Sequence, residues 1–143
     1  MVLERFKSGV GKYQKEYYTR ELAKAITAAA RKSISPKIEI KQIVLRELNR
    51  VDRCITCHVP VDDASYSGMP PPLSYHPDHD QHPFARFGCT ICHAGQGRVI
   101  IDTKSAHGKV KHWPSPLLSR DYIHSACGKC HNYEDIPQAA DLA

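Results

Sequence analysis

Three stretches of this chain repeat the pattern Cys-x-x-Cys-His: Cys54 to His58, Cys89 to His93 and Cys127 to His131. Two thiols at this spacing can each form a thioether to one of the two vinyl groups of a single porphyrin. The next histidine then lies under the ring, where imidazole is a common proximal ligand to haem iron. The pattern is the attachment signature of c-type haem. All six cysteines of the chain fall inside the motifs. The expected cofactors are three c-type haems (haem c, with iron), held by Cys54 and Cys57, by Cys89 and Cys92, and by Cys127 and Cys130. His58, His93 and His131 would be the proximal ligands.

Two other uses of paired cysteines fit less well. A structural zinc site takes four ligands, commonly from two such pairs. Three pairs leave one over, and zinc has no need of a histidine directly after each second cysteine. A disulfide framework is the other alternative, but a bridge across two intervening residues is strained and redox-active rather than a structural staple.

A haem iron has a second axial position to fill. Outside the motifs stand His76, His79, His82, His107, His112 and His124. A solitary histidine usually needs no ligand role, but here the distal ligands must come from a short supply. His82 lies seven residues before Cys89, and His76 precedes it in a similar His-Pro setting. A Met69 thioether would raise the reduction potential. It follows His58 by only eleven residues, a tight loop over its own porphyrin, and is better read as packing in a proline-rich segment.

The motifs start 35 and 38 residues apart, a loose repeat with one motif per unit. Residues 60–83 carry six prolines and, flanked by two motifs, read as an extended, ordered wrap rather than a linker. Gly95 stands where it can close the short helix that carries the second motif, in the left-handed cap position. Ahead of the motifs, Tyr13, Tyr17, Leu22, Ile26 and Ala30 predict an amphipathic helix over 12–32, ended at Pro36. Residues 37–45 predict a short strand, and the tail 138–143 is expected to fray. The fold class expected is mainly α with much irregular structure. A helical arm over 1–50, for docking or packing, would precede a triheme cytochrome c domain over 51–143 whose haems form the core.

Composition agrees. The chain has 143 residues, the length of one domain. It has only three Phe and one Trp, so porphyrins would have to supply much of the apolar interior. The formal charge of +5 is misleading, because two propionates on each haem would bring the reduced holoprotein close to neutral. A nucleic-acid partner read from basicity therefore loses its basis. No apolar run is long enough to span a membrane, and Met1 to Lys7 lacks the apolar core of a signal peptide. Haem attachment to this motif in bacteria takes place outside the cytoplasmic membrane. The expected location is thus periplasmic, or on the extracytoplasmic membrane face, with a leader or anchor that this sequence does not include.

The stretch 82–98 (HPFARFGCTICHAGQGR), with Ala106-His107-Gly108 and His112-Trp113 after it, resembles a group of bacterial multiheme c-type cytochromes. The lead-in 39–54, with EIKQIVL and NRVDRC, resembles the same group, so the likeness covers roughly 38–131. Such proteins are associated with respiratory membrane complexes, often beside quinol-oxidising or other oxidoreductase subunits. The resemblance implies distal ligands just upstream of a motif, which favours His76 and His82. It also implies a role for His107 and His112, and ranks His79 and His124 lower. Two functions compete. One is electron transfer between a membrane-bound oxidoreductase complex and a redox partner. The other is a multiheme reductase with one open haem. Histidines in excess favour the first, a carrier rather than an enzyme.

Overall fold

The computed structural model describes residues 9–77 and 80–135. His79 and the 138–143 tail lie outside the described residues. The chain is mixed helical and irregular, with one small two-stranded sheet.

Helix α1 spans Gly11–Lys24. Glu16 and Arg20 pair across one turn at 2.9 Å, as do Glu21 and Lys24, the spacing at which opposite charges support a helix. The face turned inward carries Val10, Gly11 and Gln14, with Tyr17 stacked at 5.5 Å on the buried Tyr66. The helix ends earlier than the periodicity predicts. Ala25 turns to extended backbone, and α2 (Ala28–Ser33) starts afresh, its first turn capped by the Thr27 hydroxyl at the Ala30 N–H. Thr27 competes for a backbone donor that a continuous helix would use internally. The Ile26 and Ala30 positions of the predicted face are accordingly exposed.

The strand predicted over 37–45 shrinks to β1 (Ile43–Leu45), which pairs antiparallel with β2 (Arg50–Asp52) in the register Val44 to Val51. Residues ahead of it are held by side chains instead. Gln14 brackets Glu39, donating from Nε2 to its carbonyl at 2.6 Å and accepting its N–H at 2.9 Å. Thr56 does the same to Lys41 through one hydroxyl. With its backbone groups already partnered, this segment recruits no strand.

Beyond β2 come the first motif, the proline-rich stretch, the short helices α3 (Phe84–Phe87), α4 (Thr90–His93) and α5 (Thr103–Ala106), and a long 3-10 segment over Arg120–Lys129. The proline-rich stretch is folded back on itself: Tyr75 donates to the Tyr66 carbonyl and His76 to that of Val61. Helix α4 closes at Ala94, itself left-handed at φ 59°, with Gly95 continuing at 82°. Among the described residues the buried apolar side chains are few: Val10, Ala25, Leu45, Val59, Pro60, Tyr66, Leu73 and Ala126. Only Val59, Pro60 and Ala126 among them lie within two residues of a motif. Among the described residues, no helix is long and apolar enough to cross a membrane.

Gln14 also donates to the Thr56 carbonyl at 2.9 Å, inside the first motif, so the arm is fastened to that motif by a fully buried amide. Replacing Gln14 by Leu strands the Glu39 N–H and two carbonyls. The expected cost is about 1–3 kcal/mol for each buried group left without a partner, read as a fall in thermal melting temperature of several degrees. An unchanged melting curve would show that water replaces the amide.

Candidate cofactor-binding site

The three motifs fold into the same local turn. In each, the carbonyl of the first cysteine accepts two N–H groups, from the second cysteine and from the histidine. The bonds measure 3.0 and 2.9 Å at Cys54, 3.2 and 2.9 Å at Cys89, and 3.1 and 3.0 Å at Cys127. A single turn thus presents two thiols and an imidazole together, whether it opens a 3-10 segment (Cys54), caps α4 (Cys89) or ends the long 3-10 segment (Cys127).

Asp52 joins the first turn to the second. Its carboxylate is fully buried, accepting the Cys54 N–H on Oδ1 at 3.0 Å and the N–H groups of Cys89 and Thr90 on Oδ2 at 2.9 and 2.8 Å. Burial alone would push its pKa up. The hydrogen bonds from Cys54, Thr90 and Cys89 outweigh that and hold the carboxyl below the ordinary range. Gly88 makes this approach possible: a Cβ there would meet Leu45 Cδ1 at 2.8 Å and the Asp52 carboxylate at 3.1 Å, and its φ of 66° suits glycine. The second turn also touches the third, through Lys129 Nζ to the Ile91 carbonyl at 2.9 Å, and the segment leading to the third, through Leu118 N–H to the His93 carbonyl at 3.0 Å. The second motif is therefore the middle one in space.

Each motif histidine faces a histidine from elsewhere in the chain. The ring centroids lie 6.5 Å apart for His58 and His107, 6.0 Å for His93 and His76, and 5.7 Å for His131 and His82. Two imidazoles bound to opposite sides of one metal, each by a bond of about 2 Å, set their centroids about 6 Å apart. The ring pairs therefore have the spacing of a two-histidine axial set, and a pair of cysteines accompanies each.

Different elements supply the partners. His107 follows α5, whose first turn is capped by Asp102 at the Ser105 N–H, and its carbonyl is held by Leu117. His76 is set by its backbone bond to Val61 and by its Nδ1, 2.8 Å from the Pro77 carbonyl. A carbonyl can only accept, so Nδ1 carries the proton and Nε2 the lone pair a metal requires. Helix α3 orients two rings at once, with Phe84 5.6 Å from His76 and Phe87 4.9 Å from His82.

His112 and His124 are exposed, and the motif histidines face other rings. Met69 lines a cleft against α1 with Arg20, Lys24 and Tyr66, away from the histidine pairs. Of the four favoured distal candidates, His76, His82 and His107 are brought to motif histidines; His112 instead sits on left-handed backbone at φ 67°.

Burial lowers the pKa values of His58, His93 and His107, which favours the neutral imidazole that binds metal. The thiols move the other way. Burial pushes Cys57 up to about 11 and raises Cys92, while the Cys89 thiol and then burial push Cys54 far up. These are neutral thiols, poorly suited to act as nucleophiles. Ligand atoms of Asp52, Cys54 and Cys89 lie within 4.8 Å of one another. The Asp52 oxygens are already engaged by three backbone donors, so this triad is the seam between two motif turns rather than a cation site.

Asp52 is the residue that sequence reasoning passes over. Its signal was a short acceptor two residues before a turn, in Val51-Asp52-Arg53-Cys54, the position from which Asp caps backbone N–H groups. Its reach to Cys89, 37 residues on, has no local signature. Compared with known protein families, curated proteins and solved structures, the chain matches none.

Proposed function

We propose that this chain is an electron-transfer protein carrying three covalent c-type haems, each ligated by two histidines. The observation that carries the reading is the threefold coincidence of a Cys-x-x-Cys-His turn with a second imidazole about 6 Å from the first. The first site comprises Cys54, Cys57, His58 and His107. The second is Cys89, Cys92, His93 and His76, and the third is Cys127, Cys130, His131 and His82.

Bound haem supplies a one-electron ferric–ferrous couple. The chain's own part is to hold that couple still. Paired imidazoles keep the same coordination in both oxidation states, and thioethers to a rigid turn prevent loss of the ring. The turns are tied in the order first, second, third by Asp52 and by the Leu118 and Lys129 contacts, which favours a relay with the second site in the middle. The reductase alternative needs a motif histidine with an open opposite face, whereas all three face a second ring. The likeness of 82–98 and 39–54 to multiheme cytochromes of respiratory membranes supports a setting on the extracytoplasmic face. The partners would be a membrane-bound, quinol-linked oxidoreductase complex and a second redox protein.

The purified holoprotein is expected to gain the mass of three haems that resist acid-acetone extraction. Any other increment removes the reading.

Single replacement of His76, His82 or His107 by Ala should convert one haem of the three from low-spin to high-spin. That haem should bind carbon monoxide when reduced and remain covalently attached. His112→Ala and His124→Ala should leave the spectra as they were. A low-spin spectrum retained in all of the first group would refute the ligand assignment, and carbon monoxide binding by the unmodified protein would favour the reductase.

A further inference from the structure

We propose that Asp52 is a fixed negative charge shared by the first and second haem sites, which lowers the reduction potentials of those two haems and leaves the third untouched. The inference rests on the three-haem reading and assigns one residue a task within it.

The argument starts from the carboxylate's surroundings. Asp52 is fully buried, yet among the described residues it has no ion-pair partner. Three backbone N–H groups stabilise its ionised form without cancelling its charge. A buried, unneutralised anion has a long reach, since little water intervenes to screen it. What it would act on is given by the donors. Cys54 opens the first motif, and Cys89 and Thr90 open the second. The two Asp52 oxygens therefore sit at the opening of both motif turns, one on each. Each iron gains one positive charge on oxidation, so a nearby anion favours the ferric state and lowers the potential.

The third motif lacks this feature. The residues before Cys127 are Ser125 and Ala126, and the Ser125 hydroxyl donates to the Tyr122 carbonyl at 2.7 Å. No carboxylate opens that turn. Two residues before the second motif stands Phe87, also without charge, and the missing side chain of the next residue, Gly88, leaves the space that Leu45 and Asp52 fill. Axial ligands are the same at all three proposed sites, so a local charge is a means of making two haems differ from the third.

The test is a haem-resolved redox titration of the Asp52→Asn holoprotein, with haems assigned by paramagnetic NMR. Two potentials, those of the first and second haems, should rise while the third stays in place. Asp52→Glu, which keeps the charge, should return both toward the wild-type values. A purely structural Asp52 would leave the potentials of correctly assembled Asp52→Asn protein unchanged. That result, or an equal shift of all three, overturns the proposal. If Asp52→Asn does not assemble, redox-difference infrared spectroscopy of the wild-type holoprotein takes its place. A carboxylate stretch that shifts as the first and second haems titrate is expected, and its absence overturns the proposal. A wild-type protein without three attached haems would instead sink the underlying reading, before any variant is made.

Discussion

A carboxylate with three peptide donors and, among the described residues, no counter-cation holds two of the three motif turns in one place. Burying such a group is costly unless its hydrogen-bonding capacity is met. Here Cys54, Cys89 and Thr90 meet it only if the two turns approach to within one side chain's width. The geometry of both is therefore set by one requirement. Gly88 permits the approach, Leu45 packs over it from β1, and the β1–β2 hairpin delivers Asp52 to the spot. The third turn then leans on the second through α4. Removing Asp52 leaves three half-buried N–H groups in search of acceptors, a greater disturbance than the loss of one bond.

Around this seam the protein has little apolar core of its own. Val10 and Ala25 bound the two ends of α1 and Tyr66 lies against it beside Tyr17, while Leu45, Leu73 and Ala126 stand far apart in the chain. Side-chain amides and hydroxyls do much of the fastening: Gln14 and Thr56 bracket the backbone near residues 39 and 41, and Tyr66 donates to Glu21 at 2.8 Å. Three flat apolar cofactors, enclosed between facing imidazoles, would complete such an interior. A chain of this kind resembles a set of clasps more than a packed globule.

How much of this was legible in the sequence differs by kind of interaction. The motif turns were readable, because spacing of two and one residues is local information. The histidines outside the motifs were readable as a set of candidates, and three of the four favoured members lie with ring centroids 5.7 to 6.5 Å from motif rings. Their matching was not readable. His107 partners a motif 49 residues before it and His82 one 49 residues after, and nothing local encodes either choice. The helix over 12–32 was overextended because its periodicity continues through a Thr27 hydroxyl that starts a new helix. The strand over 37–45 was overextended because Gln14 and Thr56 take the backbone groups a partner strand would need. Side chains that intercept the backbone are invisible to pattern reading.

The crossed spans of these histidine pairs also carry a meaning in time. A chain emerging from its N-terminus exposes His76 before Cys89 and His93, so the second site has all its groups present by residue 93. The first site, although its cysteines appear earliest, waits for His107. The third has His82 in hand and waits only for its own motif at 127–131. On the proposed assignment the sites are completed in the order second, first, third, and the middle of the relay is the earliest part to be whole. The outer two are completed after it, so the middle is whole before either neighbour although the chain is synthesised from one end.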